Sequence, residues 1–490
     1  MTLRDLLDEV EGAVVSGDTD VAVRGLALDS RQVAAGDVFF ALPGAHADGA
    51  RFSQAAITAG AVAVVTAHGA SVAGATRVEV ADPRLALAQA ANRLYGHPSR
   101  ALRLVAVTGT NGKTTTTYLL EAVFRAAGLP AGVIGTTGIR IAGESRASAF
   151  TTPEAPQLQG LLAEMRARGV AAVAMEASSH ALAQRRTWGL ACDACVFTNL
   201  TQDHLDYHGT MAAYLDAKAR LFDGRNGGLE KPTVAVVNGD DPAAAMIAAA
   251  AARAQRRVLR FGESSGCDVR IAAAAPVAGG MAVCFEEAGV THTFTLPLLG
   301  RYNAWNAAGA WGAARALGIA PDVVSRGLAA CTGVPGRLER IDGAAGFTVA
   351  VDYAHTPDAL ERALAACREH ARGRLLLVFG CGGDRDRGKR PLMGAIAARS
   401  ADHAWVTNDN PRSEAPQAIA DQIVAGAPAG ALTVILERRA AIAAALAAAR
   451  RGDVVLIAGK GHEETQTIGT QVLPFDDRAV AREWLAGGAA

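Results

Sequence analysis

The chain has 490 residues, 50% hydrophobic and 20% charged, and its 48 basic and 48 acidic residues leave a formal net charge of zero. That balance argues against a nucleic-acid-binding or membrane-surface protein. No apolar run reaches the roughly 18 residues a membrane-spanning helix needs.

The length predicts about three domains, each able to bury a core. The start, Met1-Thr2-Leu3-Arg4-Asp5-Leu6-Leu7-Asp8-Glu9, carries acids where a signal peptide would be apolar. Seven cysteines, scattered and odd in number, predict a reduced, cytoplasmic chain. Cys192-x-x-Cys195 is a lone pair inside an apparent strand, with no second pair to complete a zinc site.

Residues 1–98 read as a first α/β unit. Strands are expected at 21–28 and 37–42, with the polar turn Asp29-Ser30-Arg31 between them. The loop Pro43-Gly44-Ala45-His46-Ala47-Asp48-Gly49 either approaches a ligand backbone or is a plain capped loop.

A buried strand is expected at 102–107 and a helix at 114–127, stopped by Gly128 and Pro130. Between them runs Thr108-Gly109-Thr110-Asn111-Gly112-Lys113-Thr114-Thr115. A strand, a Gly-rich loop, Lys-Thr and a helix form a phosphate cradle. Backbone N–H groups and the helix N-terminus face an anion, Lys113 supplies charge, and the Thr114 hydroxyl can hold Mg²⁺. Gly109 and Gly112 stand closer together than in the general motif.

A strand at 170–175 delivers Glu176 at its carboxyl end, a candidate Mg²⁺ ligand; Ser178 or Ser179 can equally start a helix there. A strand at 194–198 leads into Gln202-Asp203-His204-Leu205-Asp206-Tyr207-His208, dense in acids and histidines. Spacing alone leaves the choice between His204 and His208 open. The helix expected at 210–222 sets Tyr214 and Lys218 one turn apart, and Lys218 by itself reads as a snorkelling surface lysine. A further strand is expected at 233–237. The alanine run at 243–252 reads as helix surface. Gly300 to Asn306 opens an Ala-rich helix, and Val334-Pro335-Gly336-Arg337 reads as a linker.

The last region is the most regular. Strands at 347–352, 374–380, 403–408, 432–437 and 453–458 alternate with helices, which predicts a mostly parallel, doubly wound sheet. Polar clusters follow the strands at Asp352, at Asp384-Arg385-Asp386, at Asp409-Asn410-Pro411-Arg412 and at Gly459-Lys460-Gly461-His462-Glu463. Ligands of such sheets bind at the strands' carboxyl ends. The arginines point to a carboxylate substrate held by paired hydrogen bonds.

At this point the motifs resemble those of the Mur ligases. The loop 108–115 with its shortened glycine spacing, Glu176-Ala177-Ser178-Ser179-His180, the run 198–209 and Tyr214-x-x-Ala217-Lys218 follow that family in order. Asp409-Asn410-Pro411-Arg412 resembles the signature of its diaminopimelate-adding branch. The resemblance implies three α/β domains. These are a UDP-sugar-binding domain at 1–98, a central P-loop ATPase domain at 99–336, and a Rossmann-like doubly wound domain at 337–490 that binds the incoming amino acid.

It further implies that UDP-MurNAc-L-Ala-D-Glu, meso-diaminopimelate and ATP are joined through an acyl phosphate, with Mg²⁺ as cofactor and a monomeric, cytoplasmic enzyme. Lys113, Glu176, His204 and Lys218 would be catalytic. Gly109, Thr110, Asn111, Gly112, Lys113, Thr114, Thr115, Asn306 and Arg337 would bind ATP, joined by Asp352 and Lys389. Thr114, Glu176, His204 and Lys218 would surround the metal, with Lys218 carbamylated, which reverses its surface reading.

Leu28, Ser30, Ala45, His46, Ala47, Thr151, Thr152, Ser178, Gln184 and Arg186 would hold the UDP-linked substrate. Phe150 departs from relatives that carry a polar residue there. Arg385, Asp409, Asn410, Pro411, Arg412, Gly459 and Glu463 would hold diaminopimelate. Arg412 would favour it over lysine, because a guanidinium pairs with the second carboxylate. The competing readings are a lysine-adding ligase of the same family, a folylpolyglutamate synthetase, and, from another class, a P-loop protein that uses ATP as a switch.

Overall fold

The computed structural model describes residues 1–44, 48–68, 74–341 and 346–487. The chain forms two compact bodies, Met1–Arg270 with Ala308–Gly327, and Ile271–Ala307 with Leu328–Ala490.

The first body holds two sheets. The N-terminal sheet orders Val14–Ser16, Thr76–Val80, Ala63–Ala67, Asp37–Phe40 and Gly25–Ala27, all parallel except the first pair. Only Gly25–Ala27 of the strand expected at 21–28 pairs in it. Leu28 and Ser30 follow directly, Ser30 opening a short 3₁₀ turn capped by the Asp29 carboxylate, which accepts from Arg31 N. The expected ligands Ala45, His46 and Ala47 lie outside the described residues.

The part of the second sheet that lies in this body orders Arg257–Gly262, Val234–Asn238, Ala194–Phe197, Arg103–Thr108, Ala172–Glu176 and Ala131–Gly135, all parallel, and ends on the antiparallel Gly138–Ile141 and Glu144–Arg146. The strand that feeds the Gly-rich loop is therefore central. Its neighbours align Glu176 with Val107 and Phe197 with Thr108. Three loops distant in sequence thus open at one edge. Cys195 lies in its strand, but Cys192 precedes it, correcting the reading of both inside one strand. The alanine run forms the helix Ala244–Arg253, and Ile247 and Ala251 on it are fully buried. One face is therefore core rather than surface, because alanine is small enough to let a helix lie close against a sheet.

In the second body the C-terminal sheet orders Glu339–Ile341, Thr348–Asp352, Val454–Ala458, Leu375–Phe379, His403–Val406 and Leu432–Val434, parallel except for the first strand. Its strands alternate between two cores. Leu375, Leu377 and Phe379 pack with Leu360, Met393 and Ile419. Leu376 and Val378 pack with Ile442, Leu446 and Val480. Helices therefore cover both faces, as the near-continuous apolar strands require. Among the described residues, no helix is long and apolar enough to cross a membrane.

Candidate functional site

The first constellation forms around the loop 109–112. The helix Lys113–Ala126 starts after Gly112, which has φ 87°. Gly109 has φ 151°, and a Cβ there would overlap the Thr198 hydroxyl. Both glycines are required by conformation, and Gly109 by space as well. Thr198 Oγ1 donates to Asn111 O at 2.6 Å, and Asn111 N donates to Asn199 Oδ1 at 2.9 Å. The neighbouring strand end thus holds the loop open. Lys113 Nζ donates to Gly109 O and Thr110 O, both at 2.8 Å, so its charge sits within the loop.

Thr114 and Glu176 meet as their sequence positions implied: Thr114 Oγ1 donates to Glu176 Oε1 at 3.0 Å. Both are buried, with Thr115 buried beside them. Ser178 does cap a short helix, accepting from Ala181 N. The metal and capping readings are therefore compatible, since different residues serve them. A hydroxyl and a carboxylate beside a phosphate cradle are the hard oxygen donors that Mg²⁺ takes.

Lys218 is only 1% exposed, which overturns the snorkelling expectation. Its Nζ sits over the Tyr214 ring, 4.2 Å from the centroid. Burial, and then the nearby Lys113 charge, push its ammonium well below the lysine range, with Asp203 opposing. A neutral buried amine is the form that reacts with CO₂, so the site fits a carbamylated lysine. Burial likewise pushes the Tyr214 phenol up to about 12, while its oxygen contacts Thr110 Oγ1 at 3.2 Å.

The two candidate histidines belong to one ring cluster. His180 stacks edge-on against His204, centroids 4.8 Å apart, and His208 lies 5.5 Å from His180. His204, in the left-handed region at φ 53°, has Nε2 3.5 Å from Asp203. His208 Nε2 contacts Ser179 Oγ at 3.0 Å. Burial, then His204 and His208, lower His180 to about 4. Burial, with the Lys113 and Lys218 charges adding to it and Asp203 opposing, lowers His204, and it hydrogen-bonds neither Thr114 nor Glu176.

Thr152, Ser178, Gln184 and Arg186, expected to hold the UDP-linked substrate, gather on the same body. Arg186 Nη1 donates to Thr152 O at 3.0 Å, and its Nη2 donates to Gln184 Oε1 at 2.7 Å. The Glu154 carboxylate pairs with it at 2.8 Å. Phe150 lies against this guanidinium, 5.0 Å from ring centroid to Cζ. An aromatic ring thus faces a cation where a hydrogen bond would otherwise be made. Thr136 was not foreseen. It bonds Glu176 through both its N–H and its hydroxyl. The available signal was its place directly after the buried strand Ala131–Gly135.

On the second body, the carboxyl ends of the C-terminal strands bring the amino-acid candidates together. Asn410 Nδ2 donates to Glu463 Oε2 at 2.9 Å, and Asn410 Oδ1 accepts from Thr467 N at 2.9 Å. Lys460, fully buried, donates to Glu463 Oε2 at 2.9 Å. Burial opposes ionisation of Glu463, yet Lys460 and the Asn410 amide hold its carboxyl below the usual range. Asp409 is raised by burial, with Arg438 and Lys460 opposing. Gly459, at φ 117°, leaves room for the Asp409 carboxylate.

Arg412 has φ 51° and donates from Nη1 to Gly383 O at 2.7 Å. Pro411 is buried beside it, and Glu414, two residues on, pairs with the fully buried Arg390 at 2.9 Å. Arg385 donates only to Asp384 O among the described residues. Lys460, Arg390 and Glu414 were not singled out as ligands, since each acts through a neighbour. Of the remaining ATP candidates, Asn306 Nδ2 donates to Asn303 Oδ1 at 2.8 Å. Arg337 lies over the Tyr353 ring at 5.3 Å. Asp352 accepts from Leu338 N at 2.7 Å, and Lys389 Nζ donates to His355 O at 2.8 Å.

Residues 22–104 match the "Mur ligase family, catalytic domain", 107–314 the "Mur ligase middle domain", and 336–461 the "Mur ligase, glutamate ligase domain". A UDP-N-acetylmuramoyl-L-alanyl-D-glutamate–2,6-diaminopimelate ligase of Geobacter metallireducens is 44% identical, covering 98% of this chain and 97% of its own. The protein of the same name from Gloeobacter violaceus is 46% identical over 95% and 94%. A solved structure of a ligase so named superposes with a TM-score of 0.74 at 34% identity, over 100% of this chain and 99% of its own.

Proposed function

The chain belongs to the Mur ligase family, and from that premise we propose that it is an ATP-dependent ligase that adds meso-diaminopimelate to UDP-MurNAc-L-Ala-D-Glu in peptidoglycan precursor synthesis. The observation that carries the chemistry is the phosphate cradle whose Thr114 hydroxyl meets Glu176 at 3.0 Å.

A carboxylate is a poor electrophile at neutral pH, so it must first gain a leaving group. The D-Glu γ-carboxylate attacks the ATP γ-phosphorus, ADP leaves, and an acyl phosphate forms. The diaminopimelate amine attacks the acyl carbon, and the tetrahedral intermediate expels phosphate. Lys113 and the loop N–H groups stabilise charge on the transferring phosphoryl group. Thr114, Glu176, His204 and a carbamylated Lys218 would hold Mg²⁺, whose chemistry is neutralisation and templating of the phosphate oxygens. The lowered pKa of Lys218 supports its reaction with CO₂.

Thr151, Thr152, Ser178, Gln184 and Arg186, with Leu28, Ser30 and the loop 45–47, would seat the UDP-linked substrate. Asn306, Arg337, Asp352 and Lys389 would contact ATP. Arg385, Asp409, Asn410, Pro411, Arg412, Gly459 and Glu463 would hold diaminopimelate. Arg412 would pair with its second carboxylate; lysine would leave that guanidinium with its bond to Gly383 O but no carboxylate partner, at a cost of about 1–3 kcal/mol. We take the reaction to run in the cytoplasm with the chain as a monomer.

The test is phosphate release from ATP and UDP-MurNAc-L-Ala-D-Glu, with meso-diaminopimelate or L-lysine supplied in parallel. Release with diaminopimelate alone is expected. Release with lysine instead overturns the specificity, and release with neither, from folded protein supplied with Mg²⁺ and bicarbonate, overturns the ligase reading.

A further inference from the structure

Glu176 is gripped from outside the nucleotide loop at more points than from within it. Thr136 N donates to Oε1 at 2.8 Å and Thr136 Oγ1 donates to Oε2 at 3.1 Å. Thr152 Oγ1 donates to the Glu176 carbonyl oxygen at 2.8 Å. Thr136 Oγ1 also lies 3.1 Å from Thr151 Oγ1. Gly135 completes the arrangement, because any Cβ there would overlap Glu176 Oε1. The carboxylate is 1% exposed, so water does not readily replace a lost partner.

The direction of these bonds follows from proton counting. A carboxylate only accepts, and a hydroxyl has one proton to give. Thr136 gives its proton to Glu176, so at the second contact Thr136 accepts and Thr151 donates. The relay runs one way, from Thr151 through Thr136 to Glu176. Thr152 is committed likewise to the Glu176 backbone. The segment 151–152 therefore reaches the Glu176 backbone directly, through Thr152, and its carboxylate through Thr136.

We propose that Thr136 is a positioning residue that couples the seating of the UDP-linked substrate at Thr151 to the set of the Glu176 carboxylate. The inference rests on the reading of Glu176 as a metal ligand. With Thr151's proton spent on Thr136, its oxygen meets the substrate as an acceptor, facing an N–H or O–H donor. A substrate bound in that way leaves the relay intact and stiffens it. Glu176 is then held with both oxygens oriented before the nucleotide reacts.

The experiment is Mn²⁺ binding in the presence of ADP, followed by electron paramagnetic resonance, with and without saturating UDP-MurNAc-L-Ala-D-Glu. The wild type, Thr136→Val, Thr136→Ser and Glu176→Gln are compared. In the wild type and in Thr136→Ser, the UDP-linked substrate should tighten Mn²⁺ binding. Thr136→Val should bind Mn²⁺ about tenfold more weakly, as befits loss of a hydrogen bond to a charged group, and lose the substrate effect. If Thr136→Val does not fold, Thr136→Ala removes the same hydroxyl and carries the test.

Normal binding and coupling in the hydroxyl-free variant, with binding lost in Glu176→Gln, overturns the role of Thr136 alone. A wild type with no substrate effect does the same. Unchanged binding in Glu176→Gln overturns the metal reading beneath it. Failure of Thr136→Ser to restore binding shows that packing rather than the hydroxyl matters, which also overturns the proposal.

Discussion

The nucleotide loop and the Asp409–Arg412 segment both lie at the carboxyl ends of parallel strands, yet they are held in different ways. The nucleotide loop is specified by one short stretch and braced by one neighbouring strand end, through Thr198, Asn199 and Thr201. Its glycines, Lys113 and Thr114 are contiguous, and Lys113 bonds the loop's own carbonyls. The Asp409–Arg412 segment is held by residues far away in sequence. Thr467 N and Lys460 reach Asn410, Gln466 Nε2 reaches Asp409 O, and Gly383 O anchors Arg412. The buried Arg390–Glu414 pair closes the same turn. Anion cradling needs backbone geometry, which a short motif can specify. Discrimination between two amino acids needs side chains fixed by a packed surround.

Breaking the contiguous loop motif should have the largest effect. Gly109→Ala forces a methyl group into the Thr198 hydroxyl at a left-handed position. Displacement of the phosphate cradle should lower kcat for phosphate release by on the order of a hundredfold or more. Activity near that of the wild type would show that the loop can relax away from Thr198. Lys218→Met keeps the volume and removes the amine. A fall in kcat of about a hundredfold, together with loss of any bicarbonate dependence, is expected from removing a charged group next to the transferring phosphoryl. A bicarbonate response that persists in the variant would assign that response elsewhere.

The second region should break selectively. Arg412→Ala should raise KM for diaminopimelate about tenfold or more, the value of a lost charge-assisted pair, while KM for ATP stays within about twofold. Equal loss in both would count against its assigned role. The smallest effect concerns acid stability. The His180 pKa of about 4 lies below the ordinary 6.5. Between those values the unfolded chain binds more protons, so stability is lost as pH falls through that window. His180→Asn should flatten this part of the profile, read as melting temperature at about pH 7 and pH 5. An unchanged slope would place the acid sensitivity in other groups.

Several elements were legible because their causes are local. The apolar runs predicted the strands Arg103–Thr108, Ala194–Phe197 and Leu375–Phe379 to within a residue or so, since burial on both faces requires continuous apolar sequence. The weaker N-terminal alternation did not mark its boundary, and only Gly25–Ala27 pairs. Lys218 defeated the local reading. Flanking alanines say nothing about a Tyr214 ring beneath the ammonium or about Lys113 across the site.

By itself the sequence determined the α/β class, the nucleotide cradle and the family, because these rest on contiguous motifs and on apolar periodicity. Tertiary structure alone decided that Lys218 is buried and uncharged in tendency, and that Thr136 reaches both oxygens of Glu176. It also decided that Arg390 and Lys460 hold the segment that would read the amino acid. The physical reason is shared. Each of these facts is a contact between side chains that strand pairing and helix packing bring together. Burial, pKa and proton direction belong to that contact rather than to either residue in its own stretch of chain.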